Sequence, residues 1–495
     1  MSVPHTGPAP AGPARFTSRN PVTAEPVATF PTDDEAAVRR KVARAREAAR
    51  WWDALGHDGR RARLLTWKRV MTRRRGEIIA LLRRENGKVR ADAVIELSAT
   101  LAHVDWAARN AHRVLRRRSV PSGPLMFNQA STLEYKPYGV IGVIGPWNYP
   151  VFTPVGSLAY ALAAGNAVVF KPSEFTPACG KWLTDTFTEA VPEHPVLQLT
   201  TGAGPTGAAL CASGVDKIAF TGSRATGTRV LQACAPSVTP VLLELGGKDA
   251  LVVAEDADVE AAVEAALWGG CSNAGQSCTG IERVYVADAV YERFEARLTE
   301  RAARIRARED FGPITMPGQL DIIRRHVEDA LAHGGRALVG GPESIEPPYV
   351  LGPVVLADVP EDSAALREET FGPVLIVNRV RDAHEGVRRA NDSPYGLGAS
   401  VFARRGATAL ARAVRSGMVS VNDVMAFPGV PSLPFGGVGA SGFGRIHGAD
   451  GLREFTVPHA VTRRRFKAPL AVSTYARGPR DIPRLERVTR FLGSR

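Results

Sequence analysis

Cysteine is scarce in this chain: five in 495 residues, at Cys179, Cys211, Cys234, Cys271 and Cys278. The odd count, with no C-x-x-C, argues against a disulfide framework and a zinc site and fits a reducing, cytoplasmic compartment. Long apolar runs are missing as well. The most apolar stretch, Val155 to Phe170, is 16 residues long and carries Ser157, Gly165 and Asn166, so a membrane span is not expected. The beginning lacks any apolar run: Met1 to Arg15 is rich in Pro and Gly and reads as a floppy arm rather than a signal peptide. Acidic side chains are outnumbered 50 to 63, which gives +13. Most of that excess sits at one end, because residues 457–495 hold ten basic and two acidic side chains, a local +8. Such a tail can bind nucleic acid or an acidic lipid surface, but a solvated or subunit-packing tail is the plainer reading, and no nucleic acid is expected.

What is present is ordinary globular composition, 44% apolar and 23% charged, in a chain long enough for about three folding units. Ala36 to Trp52 and Arg60 to Arg83 have helical apolar spacing. Pro121 to Tyr138 loses that period and reads as an extended hairpin. From Gly139 short β-branched runs alternate with Ala-rich stretches. Strands are expected at Val140 to Ile144, Ala167 to Phe170, Val196 to Thr200, Lys217 to Thr221 and Val241 to Leu245, with helices starting near Val151, Thr176, Thr206 and Arg224. A second series follows: strands at Ala250 to Val253 and Glu282 to Val286, helices at Val259 to Trp268, Tyr291 to Arg306 and Gln319 to His333. The alternation predicts an α/β fold on parallel sheets.

Two stretches match G-x-G-x-x-G, at Gly202–Gly207 and Gly437–Gly442. The second does not follow a strand, and the first is followed by no acid in Phe220 to Leu231 that could hold a ribose, so neither is a convincing dinucleotide fingerprint. Phe220-Thr221-Gly222-Ser223, with Gly227, is the better phosphate candidate, since it closes a strand and opens a helix whose free N–H groups favour a pyrophosphate; small residues also suit a plain turn there. Asn273 to Gly280 surrounds Cys278 with small and polar residues, a loop able to lift a thiol out of the core as a nucleophile. The other four cysteines read as buried and inert. Glu244 ends an apolar strand, either paired structurally or kept as a base with a raised pKa. Asn148, in Pro146-Trp147-Asn148-Tyr149-Pro150, lies where a strand ends and ligands gather; it is a turn residue or an oxyanion donor.

Together with Lys171-Pro172-Ser173-Glu174, Glu368-Glu369-Thr370-Phe371-Gly372-Pro373 and Pro434-Phe435-Gly436-Gly437, these blocks resemble the aldehyde dehydrogenase superfamily, in its order, from about Thr17 to Thr456. The resemblance implies a parallel-sheet nicotinamide-binding domain (17–118 and 139–246), an α/β catalytic domain (247–440) and a small β oligomerisation element (119–138 and 457–475). An arm (1–16) and a basic tail (476–495) would flank them. It implies Cys278 as nucleophile, Glu244 as general base and Asn148 as oxyanion donor. For NAD, with NADP possible, it implies Lys171 and Glu174 on the adenosine ribose, Gly222, Ser223 and Gly227 around the pyrophosphate, and Ile144, Trp147 and Gly202 along the adenosine-side cleft. Glu369 would bind the nicotinamide ribose, with Phe371 and the Leu245 backbone positioning the nicotinamide. No metal is implied. The reaction is oxidation of an aldehyde to the acid through a cysteine thiohemiacetal and thioester, in a homodimer or homotetramer. Ser420-Val421-Asn422-Asp423 and Ser441 to Arg445 look like bacterial succinate-semialdehyde-type enzymes. Yet Tyr149, Phe152, Phe427 and Phe435 suggest an apolar mouth without an Arg for a second carboxylate, which favours a general aldehyde. A basic-tail binding protein or a catalytically dead member are the rival readings.

Overall fold

The computed structural model describes residues 14–468, 470 and 474–494. Most of the expected floppy arm lies outside them, and Arg15 already starts the strand Arg15–Arg19, which pairs with Pro26–Pro31. The helix Glu35–Ala54 opens on Asp34, whose carboxylate accepts the Ala37 N–H at 2.7 Å, and it buries Val38, Val42, Ala45, Ala49 and Trp52 on one face.

The single helix expected over 60–83 is three pieces: Gly56–Arg73, Arg75–Leu81 and a π-turn Leu82–Asn86. Apolar spacing continues through the break, but Arg74 leaves helical geometry (φ −90°, ψ 17°). The π-turn aims Glu85 at the N–H groups of Ala178 and Cys179, and Asn86 at the carbonyl of Trp147 (2.8 Å). Such widened turns recur where a helix must place a side chain out of step.

Two parallel sheets carry the molecule. The first runs Gly442–Phe443, Val241–Glu244, Lys217–Thr221, Val140–Ile144, Ala167–Lys171, Leu197–Leu199, with Gly442–Phe443 antiparallel at its edge. The second runs Arg336–Val339, Val354–Ala357, Val374–Val380, Ile281–Ala287, Asp249–Val253, Ala399–Phe402, Ser420–Val421, with Arg336–Val339 antiparallel at its edge. Val140–Ile144, Ala167–Lys171 and Asp249–Val253 are buried along their whole length, as strands covered by helices on both faces must be. Every strand of the first expected series is present within two residues of its expected bounds.

The expected hairpin is a larger object. Gln129–Pro137 pairs with Arg118–Val120 on one side and, over nine residues, with Thr456–Arg464 on the other. The chain passes from the first sheet to the second through Leu245-Gly246-Gly247-Lys248, and returns to the edge of the first between Ser420–Val421 and Gly442–Phe443. A Cβ at Gly247 would stand 2.6 Å from the Cys278 carbonyl oxygen, so this link needs a glycine for close approach.

Candidate active site

In the first sheet, the chain leaves Val140–Ile144 toward Ala167–Lys171 on one side and Lys217–Thr221 on the other. Ligands gather outside the carboxyl ends of strands at such a reversal of strand order. Ile144 and Trp147 follow the central strand. Lys171 ends its neighbour, and its side chain with that of Ile144 faces Gly207, where a Cβ would come within 3.7–3.9 Å of both. Lys171 is buried, which pulls its pKa down, and its Nζ lies 3.8 Å from the half-exposed Glu174 carboxylate, which pulls it back up. On the other side, Gly222 donates its N–H to the Glu244 carbonyl and Ser223 caps the helix Arg224–Cys234 by accepting from the Thr226 N–H at 3.3 Å. The earlier N–H groups of that turn face outward along the helix axis, toward an anion. Gly227 has no room for a side chain, since Leu245 Cδ2 would meet a Cβ at 2.7 Å. Gly202 sits apart from these contacts, packed on Thr206 and Thr32.

Across the crevice Glu369 lies over the Gly246-Gly247 link and accepts the Gly247 N–H at 3.0 Å. Phe371 (φ 52°) sets its ring edge-on to Trp147 at 5.5 Å, joining the two sheets' loops. The pair Lys248–Glu282, fully buried, anchors this segment: Glu282 accepts the N–H groups of Thr370 and Phe371 at 2.9 Å. Glu282 carries no expected role. Its signal is a lone carboxylate at the start of the apolar strand Ile281–Ala287, which demands a buried partner.

Cys278 and Glu244 line one cavity of about 280 Å³ with Leu245. Its wall includes Tyr149, Phe152, Trp268, Met425, Phe435 and Ile446, and no Lys or Arg. Phe427, expected at the mouth, stands behind it against Phe435 (6.4 Å between rings). Asp92 and Glu96 bring carboxylates to the wall. Glu96 is tied to Lys88 at 3.1 Å and accepts the N–H groups of Val151 and Phe152 at 2.8 and 3.0 Å.

The loop before Cys278 holds Asn273, Ala274 and Gly275 consecutively in the left-handed region (φ 53°, 57° and 69°). For the two non-glycine residues this costs about 1–2 kcal/mol each. Carboxamides hold it there. Asn273 donates to the carbonyls of Asn148 and Gln276, both at 3.1 Å, and Gln276 donates to Asn273 O and Pro313 O and accepts the Thr315 N–H. Asn148 spends one amide N–H on Gln276 O at 3.0 Å and keeps the other. At about 1 kcal/mol net for each bond, the network offsets the strain. Asn273, Gln276, Asn86 and Thr315 were not singled out for any role, although the first two flank Cys278 in sequence.

Glu244, at a strand end, is fully buried and both its oxygens lack a hydrogen-bond partner in the described residues. Burial therefore raises its pKa well above the carboxylate range, Arg445 opposing. Burial lifts Glu369 to about 8 and Asp249 to about 7. Cys278 alone among the five cysteines is only half-buried, with its thiol at the cavity wall, and burial, then Glu369, Asp249 and Glu244, push its pKa up. The other four cysteines are buried, as expected. No cluster of His, Cys, Asp and Glu among the described residues suits a metal ion.

A crevice for a dinucleotide beside a cavity holding a thiol and a partnerless carboxyl defines an oxidoreductase acting on a carbonyl compound. The chain belongs to the Aldehyde dehydrogenase family, whose model matches residues 9–461. It is 38% identical over 448 residues to the 4,4'-diapolycopene aldehyde oxidase of a Methylomonas species (89% of this chain, 84% of that one). It is 34% identical over 455 residues to a Mycobacterium ulcerans protein provisionally named NADP(+) succinate-semialdehyde dehydrogenase 2 (90% and 87%). Its fold matches the crystal structure of PnpE in complex with nicotinamide adenine dinucleotide with a TM-score of 0.87 at 29% identity, covering 92% of this chain and 96% of that one. The protein is an NAD(P)-dependent aldehyde dehydrogenase that oxidises an aldehyde to the carboxylic acid.

The crowded acids make cofactor capture depend on pH. A bound cationic ring favours their ionised forms, so binding should release protons and tighten as pH rises through the region near 8 where Glu369 ionises. Calorimetric titration with NAD+ in two buffers of different ionisation enthalpy should show this, and Glu369→Gln should flatten the dependence; a pH-independent affinity in the native enzyme would refute the assignment.

Proposed function

We propose that this enzyme oxidises apolar aldehydes with NAD+, using Cys278 as nucleophile, Glu244 as general base and Asn148 as oxyanion donor. The observation that carries the reading is one cavity that presents both Cys278 and Glu244 inside an aliphatic and aromatic wall. Cys278 Sγ adds to the aldehyde carbon as its proton passes to the ionised Glu244 carboxylate in the same cavity and from there to water, and the free N–H of Asn148 donates to the new oxyanion. A donor of this kind is worth roughly 3–4 kcal/mol. An NAD+ held in the crevice would supply the hydride acceptor, and collapse of the oxyanion leaves an acyl thioester on Cys278. Glu244 then takes a proton from water as the oxygen attacks the thioester carbon. The C–S bond breaks, the acid leaves and the thiol recovers its proton.

The proposed cofactor roles belong to the same reading. Lys171 and Glu174 hold the adenosine ribose, and Gly222, Ser223 and Gly227 border the pyrophosphate. Ile144, Trp147 and Gly202 line the adenosine side, Glu369 binds the second ribose, and Phe371 with the Leu245 backbone places the ring. In this reading residues 17–118 and 139–246 serve the cofactor and 247–440 the chemistry. The strands of 119–138 and 457–475 join copies into a homodimer or homotetramer, supported by the exposed Phe127, Val457, Val461 and Phe466. A cytoplasmic setting agrees with free thiols; among the described residues no helix is long and apolar enough to cross a membrane.

Succinate semialdehyde suits the cavity poorly, because its carboxylate would meet Asp92 and Glu96 instead of a cation. With either cofactor, benzaldehyde and medium-chain alkanals should therefore show kcat/KM at least about tenfold above succinate semialdehyde, one missing charge pair being worth that much. The reverse order, read from nicotinamide absorbance, would overturn the substrate assignment.

Cys278→Ala should abolish oxidation of every aldehyde while cofactor binding persists. Glu244→Gln should reduce at most one nicotinamide per site in a rapid-mix burst and then stall as the thioester. Unchanged steady-state turnover in either variant would place its role elsewhere.

Glu174 can accept from a ribose 2′-hydroxyl but repels a 2′-phosphate, and Lys171 at 3.8 Å offsets part of that repulsion. Glu174→Ser should weaken NAD+ binding and improve relative NADP+ use; native preference for NADP+, or an unmoved affinity ratio, would sink this assignment.

A further inference from the structure

The sequence leaves one feature that the oxidation does not use: the basic end of the chain. In the structure it contains the helix Asp481–Gly493, thirteen residues of which none is buried. At 3.6 residues per turn, Ile482, Leu485, Val488 and Leu492 fall in one sector about 120° wide. Ile482 and Leu492 are 49% and 37% exposed. Arg484, Arg487 and Arg490 project outside that sector, and Arg480 precedes the helix on their side. Leu485 and Val488 are half-buried and no member of the sector is fully buried, whereas a helix packed on its own protein buries that sector.

We propose that this helix docks on an anionic lipid surface, lying in the interface with the leucine sector among the acyl chains and the arginines at the headgroups. An apolar sector beside a cationic one is the composition of interfacial helices. Each arginine near an anionic leaflet multiplies the partition about fivefold. Duplex nucleic acid satisfies the arginines but offers no partner to the leucine sector.

The test uses the full chain with two sets of vesicles, phosphatidylcholine alone and a phosphatidylcholine–phosphatidylglycerol mixture, read by flotation. The native enzyme should float with the anionic vesicles and not with the neutral ones, and added salt should release it. Charge reversal in R484E/R487E/R490E should lower the partition at least about a hundredfold. L485S/L492S should also lower it, by losing the apolar contact, and circular dichroism and turnover of a small soluble aldehyde should be unchanged in both variants. Equal binding to both vesicles, or no binding, would overturn the proposal. So would anionic binding that L485S/L492S leaves intact, which would mean simple counter-ion adsorption, as would tighter retention by duplex DNA than by vesicles. A fall in oligomeric mass in either variant, measured by light scattering without lipid, would make the helix a contact between copies instead.

Discussion

The site depends on a backbone that would not hold its shape alone. Asn273, Ala274 and Gly275 turn left-handed in succession just before Cys278, and the carboxamides of Asn148, Asn273 and Gln276 supply the bonds that keep them so. Those bonds join two sheets as well as one loop. Asn148 follows a strand of the first sheet, whereas Gln276 precedes a strand of the second. The same contact that fixes the thiol thus fixes the Asn148 carboxamide, the proposed oxyanion donor, against it, and Asn86, reaching from the π-turn to the Trp147 carbonyl, steadies that side. Gly275 is required where it stands, because a Cβ there would lie 2.2 Å from the Gly372 backbone, the segment that also carries Glu369 and Phe371.

A second constraint is electrostatic. Glu369, Asp249, Glu244 and the Cys278 thiol are all buried, burial disfavours the charged form of each, and the three carboxylates add to the cost of ionising the thiol. The buried cation nearest in the chain is committed to another task. Lys248 is spent on Glu282, and that pair holds the Thr370–Phe371 backbone in place. A partnerless Glu244 is destabilising by burial, and what it supplies in return is a carboxyl whose ionised form is an unusually strong base.

Much of this was legible in the sequence. The parallel strands read clearly because they are buried on both faces and therefore run apolar from end to end, as Val140–Ile144 and Ala167–Lys171 do. Cys278, Glu244 and Asn148 stood out because each is a chemically costly residue at a strand end or in a small-residue loop. What did not read were contacts between distant segments. The break at Arg74 and the π-turn after it leave the apolar period intact, so periodicity predicts one helix. The role of Glu282 needs Lys248 and Thr370 beside it, the latter 88 residues away. The expected hairpin has its long partner strand more than 300 residues downstream. The raised thiol pKa follows first from burial and then from the carboxylates Glu369, Asp249 and Glu244, none of them adjacent to Cys278 in the chain.

The burial of Glu244 has a consequence for proton bookkeeping during turnover. Aldehyde oxidation to a carboxylate sheds protons beside an apolar wall whose histidine, His447, is driven far toward its neutral form by burial. Asp249 and Glu369 are not part of that wall. The wall carboxyl with both oxygens partnerless among the described residues is Glu244. A proton it accepts has no neighbouring hydrogen-bond chain to share it, so each turnover has to return that one carboxyl to its starting charge before the next can begin.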